Sequence, residues 1–344
     1  MRLFVSHSSA LEALRSVPPQ VNRIKKFEES VPVPELLCDS RKILAMRLGE
    51  AGIRQRPLHI LVPRGTPGGK SQDIRRHQTS LPVVPSGLAW ELEVPGLESD
   101  KVLVAGPEFV FAQQARSLSV VGLVVLGYEL CGCYSQFAAR VSGFYDRPPL
   151  TTARAIAGAL DALADMRGIS RAREALAWVA DGARSPMETL VACELSLPVE
   201  LGGMGFERPC LNYPVELDEM AARIAGRRIC YVDVAWPGVR RGLEYNGAAY
   251  HADTSADQRR REALAHMGWA LNVLELEHMR DHDLLMAAVA LFADEVPHQM
   301  GEASKPEGST ALHQRLLAAT RFGMGLEPAF FGVPVPKGAV RMHL

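Results

Sequence analysis

The stretch RRICYVDVAWPGVRRGLEYNGAAYH, residues 227–251, decides how the C-terminal part of this chain folds. Two strand-like runs, ICYVDVAW and RGLEYNG, flank a turn at Pro237–Gly238, a pattern typical of a β-hairpin. If the strands pair in the register centred on this turn, Asp233 lies opposite Glu244. The two side chains then share one face of the sheet, as directly opposed residues do. Asn246 lies two residues further along the strand and shares that face.

Two carboxylates that face each other beside apolar strands repel, and desolvation increases the repulsion. A divalent metal ion is the usual way to offset such charge, and hard oxygen ligands suit Mg²⁺ or Mn²⁺. The sequence therefore predicts a metal site at Asp233 and Glu244. The alternative is a hairpin whose outer face carries two solvated acids.

Helix and strand patterns alternate along most of the chain. In the N-terminal part we expect strands at 2–7, LHILVP, LPVV, LAWELEV and KVLVAG, and helices at 10–15, 40–52 and 107–118, with 120–127 a buried strand or the end of that last helix. Two alanine-rich helices follow at 152–168 and 170–183. The next unit is expected to contain helices at 186–196, 255–267 and 282–294 and strands at 206–213, 228–235, 241–246 and 269–276.

The predicted fold class is α/β. The predicted organisation is a mixed α/β domain at 1–150, a helical connector at 151–183, a second α/β domain at 184–295, and a linker, helix and tail at 296–344.

Composition excludes several classes of protein. Of the 344 residues, 47% are hydrophobic and 22% are charged, which is ordinary for a globular protein. No apolar run reaches the length of a membrane helix, and the start MRLFVSHSS is not a secretory signal, so we expect a cytoplasmic protein with no membrane partner. The six cysteines lack zinc-site spacing and are expected to be buried and reduced.

Charge is distributed unevenly. Residues 1–150 contain 18 Lys and Arg against 14 Asp and Glu, whereas the remainder contains 20 against 25. Residues 40–80 are strongly basic, which predicts either contact with phosphate backbones or a solvated face. The candidate nucleic-acid contacts in this segment are Arg64, Lys70, Arg75 and Arg76. Its RGTPGGKS run lacks the first glycine of a nucleotide-binding loop.

Further polar residues surround the hairpin in a definite order. They are Glu188 in SPMET at a helix start, Tyr250 and His251 after the second strand, and then Asp257, Arg260, Leu264, Gly268 and Trp269. With Asp233 and Glu244, this run from 184 to 283 resembles the PD-(D/E)XK, restriction-endonuclease-like nucleases, and within them the domains related to the very-short-patch mismatch-repair nuclease.

The resemblance implies a three-layer α/β/α domain with a mixed central sheet, and a metal-dependent endonuclease that binds nucleic acid, DNA rather than RNA, and hydrolyses phosphodiester bonds. Asp233 and Glu244 would bind the metal with help from the carbonyl of Tyr245, and His251 would act on the attacking water or the leaving phosphate. The candidate catalytic residues are then Asp233, Glu244, Asn246, His251 and Glu188. Arg259 and Arg260 would contact phosphates.

Several of these residues have purely structural alternatives. His251 could be a hydrogen-bonded structural histidine. Ser185 and Glu188 form a capping box, so Glu188 could serve only to close a helix N-terminus. Asp257 and Arg260 lie one helical turn apart and could form a surface ion pair.

Asn246 stands where the family has Asp. Asn keeps the shape and hydrogen bonding of Asp but loses its charge, so the function stays open between an active nuclease, a non-catalytic nucleic-acid-binding regulator of antitoxin type, and a scaffold. Residues 1–150 are similar to the body of AbiEi-type antitoxin and regulator proteins, on SRKILAMRL, RPLHILVP, IRRHQTSLP and the run after VAGPEF. This similarity implies a protein partner in a phage-defence or toxin–antitoxin system.

Overall fold

The computed structural model describes residues 2–16, 24–35, 43, 47–67, 71–94, 101–136, 144–246, 254–275, 277–278 and 281–298. They fall into two compact units, the first drawn from 2–123 and 147–177 and the second from 124–146 and 178–298. Both units combine helices with β-sheet, which confirms the α/β class. The finer boundaries at 150, 183 and 295 stay predictions.

The first unit is built on a six-stranded mixed sheet. The strands of this unit are β1 (Arg2–Val5), β2 (Ile24–Phe27), β3 (Val31–Pro32), β4 (Leu58–Pro63), β5 (Ile74–Thr79), β6 (Val83–Val84), β7 (Ala89–Leu92) and β8 (Lys101–Ala105). The sheet order is β2-β7-β8-β1-β4-β5, and β3 pairs separately with β6. β1 is parallel to β8 and β4 to β5, while the other neighbours in the large sheet are antiparallel.

The helices of this part are α1 (His7–Ser16), α2 (Pro107–Gln114), α3 (Val120–Cys131), α4 (Ala153–Ala162) and α5 (Ile169–Leu176). The residues of α3 from 124 onward belong to the second unit. Both alternatives for 120–127, a buried strand and the end of the preceding helix, are wrong, because α2 ends at Gln114 and a separate helix, α3, begins at Val120. α1 begins three residues earlier than predicted, and most of the helix predicted at 40–52 lies outside the described residues.

Two strands of the first sheet were not predicted from the sequence. β2 reads IKKF and β5 reads IRRHQT, and both carry charged side chains in place of a clear apolar alternation. Their pairing with β7 and β4 supplies the order that the sequence pattern lacks. Tertiary pairing therefore overrides a weak local strand preference here.

The second unit contains two sheets. Its strands are β9 (Tyr134–Gln136), β10 (Phe144–Asp146), β11 (Cys210–Glu216), β12 (Ile229–Trp236), β13 (Arg241–Asn246) and β14 (Ala270–Glu275). β9 pairs with β10, and the larger sheet has the order β11-β12-β13-β14. β11, β12 and β13 form an antiparallel meander, and β14 is parallel to β13, so this sheet is mixed.

The helices of the second unit, apart from its share of α3, are α6 (Pro186–Ser196), α7 (Glu219–Ala225), α8 (Thr254–His266) and α9 (His282–Ala290). α6 and β13 have the predicted bounds. The strand predicted at 206–213 instead runs from Cys210 to Glu216, and α7 was not predicted. Asp218 begins α7 by accepting a hydrogen bond from the Ala221 N–H, and Gly226 ends it in the left-handed conformation.

The core beneath the larger sheet of the second unit is apolar and closely packed. It contains Val215, Cys230, Val232, Ala235, Leu264 and Trp269. Gly242 in β13 lies where a Cβ atom would stand 2.4 Å from Val232 Cγ1 and 2.8 Å from Leu271 Cδ2. The absence of a side chain at Gly242 therefore makes room for Val232 of β12 and Leu271 of β14 to pack against β13.

The cysteine prediction needs one correction. Among the described cysteines, Cys210 is exposed and Cys133 is half-buried, so burial is not general. Cys210 begins the edge strand β11, which explains its exposure. Cys38 lies outside the described residues. None of the helices described is long and apolar enough to cross a membrane.

Candidate functional site

The β12–β13 hairpin has the register that the sequence predicts. Val234 pairs with Leu243, and the ladder continues through Ala235 with Gly242 to Trp236 with Arg241. One further step in the same register brings Asp233 opposite Glu244. The Tyr245 N–H donates a hydrogen bond to Asp233 Oδ2 at 3.2 Å, which ties the two strands together at this point.

Glu244 is buried against an arginine. It is 8% exposed, and Arg260 on α8 binds both of its carboxylate oxygens. Arg260 Nη1 lies 2.9 Å from Glu244 Oε1 and also donates to the Tyr231 carbonyl at 2.9 Å. Such a two-pronged contact fixes the carboxylate and neutralises its charge. Arg260 pairs with Glu244 and not with Asp257, while its contact with a phosphate stays a prediction.

Among the described carboxylates, Asp233 has the most strongly shifted pKa. Burial and the nearby negative charges of Glu244 and Glu188 raise the pKa of Asp233 to about 7. The Tyr245 N–H and Arg260 oppose the rise. The side chain is therefore poised between its neutral and charged forms near neutral pH, as is common for groups at functional sites.

Glu188 closes the N-terminus of α6. The Glu188 N–H donates to Ser185 Oγ at 3.2 Å, while the Glu188 carboxylate accepts from Ser185 Oγ at 3.1 Å and from the Arg184 N–H at 2.9 Å. The capping role is thus confirmed, with the Arg184 N–H in place of the usual Ser185 N–H. Burial raises the pKa of Glu188 despite these hydrogen bonds. The negative charge of Glu188 raises the pKa of Asp233, so Glu188 belongs with Asp233 and Glu244. We call these three residues the carboxylate cluster.

Asn212 is a member of this site that sequence reasoning missed. Its Nδ2 donates to Glu188 Oε2 at 2.6 Å and to the Gly182 carbonyl at 3.1 Å. Asn212 has a φ of 47° in the middle of β11, a left-handed conformation that Asn tolerates better than most residues. An Asn inside a strand-like run is a weak signal, and only the fold brings it to Glu188.

The other predicted residues of the site lie at the end of β13 or outside the described residues. Asn246 is exposed at the end of β13, and Tyr245 before it is half-buried. His251 lies outside the described residues. The structure therefore brings together Glu188, Asp233 and Glu244, and it adds Arg260 to them.

The carboxylate oxygens of this site suit a hard divalent ion, but Arg260 competes with such an ion for Glu244. Glu188, Asp233 and Glu244 supply carboxylate oxygens, and burial together with their mutual repulsion raises the pKa of Asp233. A cation would relieve that repulsion. In this structure Arg260 already engages Glu244. Within the described part of the chain, no group of three or more His, Cys, Asp or Glu side chains is arranged to hold a metal.

The predicted phosphate contacts lie in both units. Arg259 is exposed on α8 in the second unit. In the first unit, Arg64 follows β4, while Arg75 and Arg76 lie on β5; Arg64 and Arg75 are exposed and Arg76 is half-buried. Lys70 falls outside the described residues.

Comparisons of the chain with models of protein families, with curated proteins and with solved structures give no match.

Proposed function

We propose that this protein binds nucleic acid and that its second unit is an endonuclease-like domain of three-layer α/β/α architecture. The observation that carries the proposal is the cluster of buried Glu188 and Glu244 with half-buried Asp233 on α6, β12 and β13. The elements follow one another in the order that the resemblance to PD-(D/E)XK nucleases implies: α6, β12, β13, α8, β14. DNA is the favoured substrate.

Asp233 and Glu244, with the Tyr245 carbonyl, are the residues that would hold Mg²⁺ or Mn²⁺. Such an ion lowers the pKa of water and neutralises charge that develops on a phosphate. The chain's own contribution is to exclude water around the carboxylates and to fix them through the Tyr245 N–H and Arg260. Exposed Arg259 lies on the same helix as Arg260, at a position suited to contact a phosphate.

A second candidate function is supported by a specific contact. Arg260 holds both oxygens of Glu244, and Asn246 supplies no charge. An arginine in this position can replace the metal as the neutralising cation. The domain would then bind nucleic acid without cleaving it, as a regulator of antitoxin type with a protein partner.

Cleavage of supercoiled plasmid, single-stranded DNA and RNA in Mg²⁺ or Mn²⁺ tests the first candidate. The full chain is compared with Asp233→Ala and Asn246→Asp. We expect wild-type cleavage that Asp233→Ala abolishes. Cleavage by Asn246→Asp alone would show a metal site disarmed by one lost charge.

Binding without cleavage in all three proteins would support the regulator. In that case affinity should fall with salt and change little in Asp233→Ala. The Arg259→Ala variant is the matched test of phosphate contact, because Arg259 is exposed. Absence of both cleavage and salt-sensitive binding from the folded protein would contradict both candidates.

A further inference from the structure

Histidines from α1, β4 and β5 meet in the first unit. The rings of His7 and His77 are stacked, with centroids 3.5 Å apart and planes 16° from parallel. His77 Nε2 lies 3.0 Å from His59 Nδ1, so one of these nitrogens donates a hydrogen bond to the other. We call His7, His59 and His77 the histidine cluster. All three side chains are half-buried, so solvent reaches the cluster.

The fold places the cluster at the start of α1. β1 ends at Val5 and α1 begins at His7, which has a φ of 51°. The Ser6 N–H donates to the His59 carbonyl at 2.9 Å, which fixes this turn against β4. The first N–H groups of a helix have no acceptor within it and carry partial positive charge, which favours anions.

A buried amide points to the same place. Gln113 on α2 is 2% exposed, and its Oε1 accepts a hydrogen bond from the His7 N–H at 2.8 Å. Its Nε2 has no hydrogen-bond partner in the structure. An unpaired buried donor is costly, and here it lies beside the first residue of α1. It calls for an acceptor atom, not for a cation.

The charges around the cluster are positive. Burial lowers the pKa of His7 to about 2 and that of His77 to about 4, and the guanidinium groups of Arg75 and Arg116 add to both shifts. The imidazoles are therefore neutral at physiological pH, and each carries one N–H. One N–H is used between His59 and His77, so up to two remain for a ligand. Both arginines are exposed, and Arg75 lies opposite His59 in the pairing of β5 with β4.

A metal fits this arrangement poorly. The lone pairs of an imidazole lie in the plane of its ring, so the stacked rings of His7 and His77 cannot direct theirs to one ion. Two nearby guanidinium groups also repel a cation. The donors at hand are imidazole N–H groups, an amide, two arginines and a helix N-terminus, and they match an anion with several acceptor oxygens.

We propose that the histidine cluster, with Arg75, Arg116 and Gln113, is a binding site for a phosphate dianion. A phosphomonoester or inorganic phosphate fits better than a phosphodiester, because the dianion offers three unbridged oxygens and two charges to this many donors. The site is separate from the carboxylate cluster and does not depend on the proposed nuclease-like function.

The test is a titration of the full chain with inorganic phosphate, followed by NMR of its ¹³C-labelled histidine rings at constant ionic strength. Signals of the cluster are assigned with His7→Asn, His59→Gln and His77→Gln. We expect saturable shifts confined to these signals, and at least about a fivefold loss of affinity in Arg75→Gln and in Arg116→Gln. Arg154→Gln is the matched control, an exposed arginine on α4 of the first unit and outside the cluster, and should bind like the wild type.

A 5′-phosphorylated oligonucleotide and its unphosphorylated twin separate the two sources of phosphate. Shifts from the phosphorylated strand alone assign the site to nucleic-acid ends, whereas shifts from inorganic phosphate alone assign it to a small ligand. Either outcome supports the site. No saturable shift with either probe, equal shifts with chloride, or saturable shifts with Zn²⁺ in place of phosphate would overturn it.

Discussion

The two units each contain a cluster of like titratable groups, and they balance the charge of that cluster in opposite ways. In the second unit, three carboxylates lie together, and Arg260 neutralises one of them. In the first unit, three imidazoles lie together and stay neutral, while Arg75 and Arg116 add positive charge around them.

This difference indicates what each site lacks. Burial, together with more negative charge in the carboxylate cluster than one arginine balances, raises the pKa of Asp233 to about 7. A cation or a proton relieves it. The histidine cluster has donors and positive charge without a matching acceptor, so an anion relieves it. Ligand class follows from the sign of the uncompensated charge in each unit.

The largest effect is expected for Arg260→Met. Removing Arg260 leaves the carboxylate of Glu244 buried and unpaired, which costs about 3 kcal/mol of unfolding free energy. Urea unfolding of the full chain measures it, and exposed Arg259→Met on the same helix is the control. A loss no greater than that of the control would show that the pair adds nothing.

The same variant separates the two candidate functions. If Asp233 and Glu244 bind Mg²⁺, the ion replaces the lost guanidinium, and ~10 mM Mg²⁺ should restore part of the stability of Arg260→Met by mass action. If the domain is a metal-independent regulator, Mg²⁺ should act equally on Arg260→Met and the wild type.

Next in size is the pH effect of Asp233→Asn. The folded pKa of about 7 exceeds the ordinary aspartate value of 3.8, so between these values the folded state binds more protons than the unfolded state. Asp233 therefore makes stability fall as pH rises from about 4 to 7. Asp233→Asn should remove this fall and gain about 2 kcal/mol relative to wild type at pH 8 compared with pH 4. Parallel pH profiles for the two proteins would contradict the shift.

The histidine cluster should give the opposite slope. The folded pKa of His77 is about 4, below the ordinary histidine value of 6.5, so the unfolded state binds more protons between these values. Its contribution is present above about pH 6.5 and is lost as pH falls toward 4. His77→Gln should reduce the acid loss by about 1 kcal/mol, since the ring is partly solvated. Thermal unfolding at pH 4.5 and 7.5 measures it, and an unchanged difference would show that His77 does not titrate on unfolding.

The sequence predicted the contact between Asp233 and Glu244 but not the histidine cluster. The reason is that the first contact joins residues close in sequence, whereas the second joins residues that are far apart. Asp233 and Glu244 are joined by a short hairpin, so turn position and strand alternation placed them opposite each other. His7, His59 and His77 are far apart in sequence, on elements that meet through sheet pairing. β5, which carries His77, was not predicted as a strand at all.

The partner of Glu244 shows the same limit. Arg260 was singled out, but its spacing from Asp257 suggested a pair on one helix. The fold instead directs Arg260 to β13, sixteen residues away in sequence. Asn212 was missed because an isolated polar residue in a strand gives no local signal, and its role depends on the approach of α6 to β11.

The smallest effect is expected for Glu188→Gln, which separates the two roles of Glu188. Gln can place its one oxygen where Glu188 Oε2 accepts from the Arg184 N–H, and its amide nitrogen can donate to Ser185 Oγ in place of the bond that Oε1 accepts, so stability should change by no more than about 0.5 kcal/mol. The substitution removes one of the negative charges that raise the pKa of Asp233, so that pKa should fall. NMR titration of ¹³C-labelled aspartate carboxyls measures it, with Glu219→Gln on α7 as a remote control. If the Asp233 titration stays in place while α6 remains folded, Glu188 is a cap alone, and the carboxylate cluster reduces to Asp233 and Glu244.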